Sequence, residues 1–295
     1  MGPFLAIVAA LAFAGKAIFI KLVYAASPKM DAVTLLALRM LFALPFFALL
    51  YWIGSRREGA NPISRRDLTL LALLGFLGYY LASFLDFWGL QYITAALERL
   101  ILFTYPAWIL LFAAMFLGQP LRPRHMLALA LSAMGLAVSF AADVQYSANL
   151  WKGSLLVLGS SLVYSIFLIG SGRIVGRVGS LRFSALAVTF SSAFVFAHFL
   201  FTHPLAALRQ PSHILWLSFF IGLIATAMPI WCTLEAIRLI GPGRVGIIGT
   251  VGPVATIFLG HWTVNEPITA MQLIGAALVL AGVTIVSGGS QKQKA

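Results

Sequence analysis

Apolar residues run through this chain in ten long blocks, at about 3–24, 33–53, 68–90, 94–117, 124–141, 153–172, 183–202, 213–237, 243–262 and 268–288. Short polar segments separate them. The blocks approach the roughly 20 residues an α-helix needs to cross about 30 Å of hydrocarbon, the fifth being the shortest. A helix satisfies its own backbone where no water can, so the pattern predicts ten membrane-spanning helices. The first block starts at Gly2 without a basic leader, is interrupted by Lys16 and is followed by no clear small-residue cleavage site. It therefore reads as a retained helix and not a signal peptide.

The pattern is written twice. Residues 75–139 recur 147 positions later as 222–286, with Gly75 on Gly222, Pro106 on Pro253, Pro120 on Pro267, Ala130 on Ala277 and Gly135 on Gly282. This divides the chain into a five-helix repeat at 1–145, a linker at 146–152, a second repeat at 153–290 and a tail at 291–295. With the N-terminus in the cytoplasm, thirteen Lys and Arg between Arg56 and Lys294 fall in cytoplasmic segments, against three (Lys29, Lys152, Arg209) outside. That bias follows the positive-inside rule and places both termini inside. Five is odd, so the second repeat enters the membrane from the opposite side. The expected fold is an all-α polytopic membrane protein, two inverted five-helix repeats around a central cavity. The substrate site of such a pair lies near the bilayer midplane.

Composition agrees with lipid as the solvent: 61% apolar, 9% charged, mean hydropathy +0.98. The formal charge of +12 does not point to nucleic acid, because the basic residues are scattered through short loops. Cys232 is the single cysteine, so no intramolecular disulfide forms. There is no Walker A sequence, no Cys/His/acid metal spacing and no Gly-x-Ser-x-Gly elbow. The chain is expected to need no metal or cofactor and not to be an enzyme. Its expected partners are a small-molecule substrate and the lipid bilayer.

Candidate site residues follow from helical spacing. Gly75, Tyr79, Ser83 and Asp86 share one face of span three, and Gly222, Thr226, Ile230 and Thr233 share the equivalent face of span eight. A polar face inside a membrane turns to protein or water, so Tyr79, Ser83 and Thr226 are cavity candidates, with Gly75 and Gly222 as packing positions. Glu98, Leu102, Tyr105 and Ile109 share a face of span four. Tyr80, Tyr164 and Trp231 are deep aromatics suited to an amphipathic organic substrate, Tyr164 standing beside Ser160, Ser161 and Ser165. Lys16 lies too deep in span one to reach the interface along its own stem and is a candidate partner for a substrate carboxylate. Lys21 and Arg39 are expected to snorkel to the outer interface. Asp86, Glu98 and Arg99 fall near the outer ends of spans three and four, and Glu235, Arg238 and Arg244 near the inner ends of spans eight and nine. Both sets read as interfacial charge networks or gates. Pro106 in span four and Pro253 in span nine, the latter following Gly249 and Gly252, remove helical hydrogen bonds and read as paired hinges.

These residues resemble the drug/metabolite transporter superfamily of the EamA type. The likeness is carried by Gly89-Leu-Gln-Tyr-Ile-Thr-Ala-Ala96, by Tyr105-Pro106, by Leu117-Gly-Gln-Pro-Leu121 and by Pro253 with Asn265-Glu266-Pro267, and it covers essentially the whole chain. Gln119 departs from the acid common in that turn, so the acidic turn is not symmetric. The aromatic-rich spans look most like bacterial amino-acid exporters of the YddG type. The resemblance implies a multi-pass protein of a bacterial inner (plasma) membrane that exports small amphipathic metabolites, amino acids and aromatic ones among them, by alternating access. A nucleotide sugar, sugar phosphate or cationic drug remains an alternative cargo. An intramembrane enzyme lacks convergent acids or a nucleophile, and a channel lacks a filter-like loop.

Overall fold

A computed structural model describes residues 1–57, 62–118, 120–147 and 149–291. Gln119 and most of the expected tail, with Lys292 and Lys294, lie outside the described residues. Among the described residues the regular structure is helical throughout. The ten segments are α1 (Gly2–Ala26), α2 (Ala32–Arg57), α3 (Arg65–Gly89), α4 (Ala95–Phe116), α5 (Pro123–Asp143), α6 (Leu150–Val178), α7 (Ser180–Thr202), α8 (Ser212–Ile240), α9 (Gly243–Val264) and α10 (Ala270–Gln291). Nine are long and apolar enough to span a membrane, and the tenth is apolar over Ala270–Ile285. The fifth span, shortest by hydropathy, is a full helix of 21 residues.

The two repeats end their helices alike. Gly118 closes α4 at φ 63° and Asn265 closes α9 at φ 54°, 147 residues apart. Only Gly, or less often Asn, enters this left-handed region cheaply. Packing obeys the same symmetry: α1 lies on α8 and α9 as α6 lies on α3 and α4, while α2 pairs with α7 and α5 with α10. Lipid offers helices no hydrophobic reason to associate, so close backbone approach must hold them. A Cβ on Gly135 would fall 2.6 Å from the Gly275 carbonyl oxygen, and one on Gly282 would fall 2.7 Å from that of Ala128. Gly75 abuts Ala187 of α7, and Gly222 abuts Arg39 and Phe42 of α2, so both stripe glycines are packing positions.

Two irregularities recur in both halves. α3 widens to a π-helical turn at Phe76–Leu81, and α8 does so at Leu223–Ala227. α4 breaks after Leu102 and restarts at Tyr105, while α9 breaks at Thr250 and restarts at Val251. Each break lies just before its proline, and each is closed by a threonine hydroxyl that donates to the carbonyl three residues back, Thr104 to Ile101 and Thr250 to Ile247, both at 2.6 Å.

Candidate functional site: a one-sided cavity with a charged floor

A cavity of about 350 Å³ lies between the repeats, within the usual size of a small-molecule site. The π-turns and the helix breaks form much of its wall. Lys16, Tyr79, Ser83, Asp86, Leu102, Tyr105, Tyr164, Thr226 and Gly249 all line it, as do Ile230 and Thr233. Tyr105 and Tyr164 meet edge to face with centroids 5.7 Å apart, and Tyr79 packs edgewise on Phe167 at 5.2 Å. The result is an aromatic wall with hydroxyls at intervals. Tyr80 and Trp231 stand elsewhere. Tyr80 turns toward α7, its hydroxyl 2.9 Å from His198 Nδ1 and its ring beside Phe84 and Phe194. Trp231 packs on the apolar cluster built around α2 and α7.

The floor is ionic. Lys16 Nζ is 2.5 Å from Asp86 Oδ2 and 3.4 Å from Glu98 Oε1. Asp86, Glu98 and Arg99 lie near the end of α3 and the start of α4, and all three are buried within the protein. In the turn joining α3 to α4, Leu90, Ile93 and Thr94 are buried, while Gln91 and Tyr92 are half-buried. A lysine largely withdrawn from water favours a carboxylate partner, and half-buried Lys16 has two. Arg39 is corrected: residues 32–40 of α2 are buried on every face, leaving no path to the interface. Its Nε donates to Thr226 Oγ1 at 3.0 Å, and its guanidinium lies 5.3 Å from the Phe87 ring centre at the cavity wall. Lys21 reaches Glu266 Oε1 at 3.9 Å in the turn between α9 and α10.

One end of the cavity is shut. Glu266 accepts from the Ala95 backbone N–H at 2.9 Å, and Asp143 accepts from the Thr94 hydroxyl at 2.7 Å. Both carboxylates thus sit on the N-terminus of α4, where unsatisfied N–H groups and the helix dipole favour anions. Burial pushes the Glu266 carboxyl up from its ordinary range, while Lys21 and the Ala95 N–H pull it back. Glu266 is the residue that sequence reasoning left aside, although Asn265-Glu266-Pro267 was visible. At the other end the lining runs along Ala6, Ala9, Val245 and an exposed Gly246 toward the face that carries the N-terminus. α9 starts there after Gly241 with no side-chain cap. Glu235 pairs with Arg238 and lies 3.8 Å from Arg57 near this face. Arg244 is exposed and makes no ion pair among the described residues, so Arg57 takes the place expected for it.

The serines of α6 explain how the α4 break is tolerated. Pro106 cannot donate to Leu102, and Ser161 Oγ donates to that carbonyl instead at 3.3 Å. Ser165 Oγ donates to the Tyr105 carbonyl at 3.1 Å, and Ser161 and Thr104 hydroxyls lie 3.2 Å apart. Such side-chain donors are the usual remedy for a broken helix in lipid.

Known proteins share this plan. The uncharacterized transporter YcbK of Bacillus subtilis (strain 168) is 30% identical over 307 residues, covering 99% of this chain and 93% of that protein. A probable terminal-alkyne amino-acid exporter of Streptantibioticus cattleyicolor is 26% identical, over 80% of this chain and 76% of that one. A solved crystal structure matches in fold with a TM-score of 0.61 at 18% identity, over 100% of this chain and 99% of that one. The pattern of the EamA-like transporter family matches residues 1–141 and again residues 151–288. On that double match the chain belongs to the EamA-like transporter family, whose members are multi-pass membrane transporters.

Proposed function

We propose that this transporter is an alternating-access exporter of small amphipathic metabolites, with amino acids, aromatic ones included, as its leading cargo. The observation that carries the reading is a cavity between the repeats with an aromatic wall and an ionic floor, closed at one end and reached from the other. The Lys and Arg bias supports a cytoplasmic N-terminal face in a bacterial inner membrane, which makes this the state that loads cargo from inside. The Streptantibioticus relative, a probable terminal-alkyne amino-acid exporter, points to the same cargo class. Export would then require the Glu266–Ala95 contact to part and α9 to close over Gly246, with the breaks at Thr104 and Thr250 taking up the motion. Asp86, Glu98 and Arg99 hold the floor, and Glu235 with Arg238 faces the loading side. The test is counterflow in proteoliposomes over a panel of amino acids, sugars and organic cations, with and without a pH gradient. Saturable exchange of an amino acid is expected. Exchange confined to sugars or cations overturns the cargo, and unsaturable conductance overturns the mechanism.

A further inference from the structure

The cavity contains a charge imbalance that its own side chains do not resolve. Lys16 is answered by Asp86 and Glu98. Two more cations, Arg39 from α2 and Arg99 from α4, line the same cavity, Arg39 within electrostatic reach of Asp86 and Arg99 of Glu98 and Asp86. Neither has a carboxylate within ion-pair distance among the described residues. Both are more than nine-tenths buried, at 5% and 7% exposed. Among the described residues Arg39 Nη1 and Arg99 Nε have no hydrogen-bond partner, and neither do Asp86 Oδ1 and the two Glu98 oxygens. Three cations thus meet two carboxylates, leaving one positive charge in a low-dielectric site. A buried guanidinium with free N–H groups is costly alone and strongly attractive to a planar anion. The two guanidinium groups lie against the rings of Phe87 and Phe103, at 5.3 and 5.5 Å from their centres.

We propose that Arg39 and Arg99 form the seat for the carboxylate of the transported solute. The inference rests on the exporter reading and moves the carboxylate-binding role from Lys16, already engaged, to these two arginines. A single surplus charge fits a monoanion better than a phosphate dianion. The aromatic wall of Tyr79, Tyr105 and Tyr164 then faces the solute's apolar end, so the site selects compounds with a carboxylate at one end and an apolar body at the other.

The test compares L-phenylalanine, L-leucine and L-threonine with their α-amides, and with inorganic phosphate, in two readouts: thermal stabilisation of the detergent-purified protein, and competition in counterflow. Wild type is expected to prefer acid over amide by about tenfold to a hundredfold, the range for a charge-assisted hydrogen bond. Arg39→Gln and Arg99→Gln should each abolish most of that preference, and Arg39→Lys should restore part of it. Each variant is first shown to be monodisperse with a normal unfolding transition. Equal stabilisation by acid and amide, or stronger stabilisation by phosphate, overturns the seat. Acid-specific stabilisation without any counterflow supports the seat and overturns the exporter reading, so the two fail separately.

Discussion

The broken helices α4 and α9 occupy equivalent places in the two repeats but are held in different ways. α4 is fastened at both critical points. Glu266 and Asp143 sit on its N-terminus, and Ser161 and Ser165 of α6 satisfy the carbonyls around its break. α9 begins without a side-chain cap, and α1, which packs against it as α6 packs against α4, contains no Ser or Thr at all. Among the described residues one side-chain hydrogen bond joins α1 to α9 beyond the break, Thr256 Oγ1 to the Ala14 carbonyl at 3.4 Å. Duplication therefore supplies two similar joints, and side chains decide which is bolted. The bolted one belongs to the closed end of the cavity and the free one to the end that is reached.

The largest test of this contrast sets Asp86 against Thr233, its counterpart in the second repeat. Asp86→Ala leaves half-buried Lys16 with Glu98 alone and should cost about 1–3 kcal/mol, whereas Thr233→Ala should stay within about 0.5 kcal/mol; unfolding in detergent by denaturant titration measures both. Equal losses would mean that the charged floor is not special to the first half. Next comes Glu266→Ala, which strips the α4 N-terminus of an acceptor and should weaken the closed end by about 1–3 kcal/mol. Since about 1.4 kcal/mol is a factor of ten, a cysteine at position 83 in a Cys232→Ser background should label markedly faster with an impermeant maleimide added from the closed side. Unchanged labelling would remove Glu266 as a latch. Smaller again is the pair Ser161→Ala and Ser165→Ala, at about 0.5–1.5 kcal/mol each. Amides around Thr104 should then exchange with deuterium as fast as those around Thr250; a persisting difference would place the fastening elsewhere. The smallest change is Gly249→Ala. A Cβ there meets nothing within 4 Å, and the substitution should firm α9 by about 0.5–1 kcal/mol. Slower counterflow at unaltered apparent affinity is expected, and an unaltered rate would show that α9 does not need its looseness.

Much of this architecture is legible in the residues because it depends on periodicity. The 147-residue offset, the proline pair and the stripe of Tyr79, Ser83 and Asp86 are local patterns, and helices obey them. What depends on how ends are covered is not legible. Counting from span ends places Glu98 and Asp86 near the ends of their helices, but it does not show that neighbouring helices bury both carboxylates and bring Lys16 to them. Arg39 was read as snorkelling because nothing in its own helix reveals that neighbours cover every face of residues 32–40. Arg244 was grouped with Glu235 by helix end alone, whereas Arg57 of α2 is nearer to that carboxylate. The π-turns at Phe76–Leu81 and Leu223–Ala227 leave no distinct mark, since the same residues would also fit an unbroken α-helix.

The glycine contact between α5 and α10 carries a consequence for assembly. Gly135 and Gly282 are the same position of the repeat, and each meets the other half's helix backbone. The surface is thus self-matching, as in a two-fold dimer. A chain cut between α5 and α6 and co-expressed as two polypeptides would present complementary faces already built to find each other, and the linker would prove to be a tether that sets stoichiometry without being required for the fit.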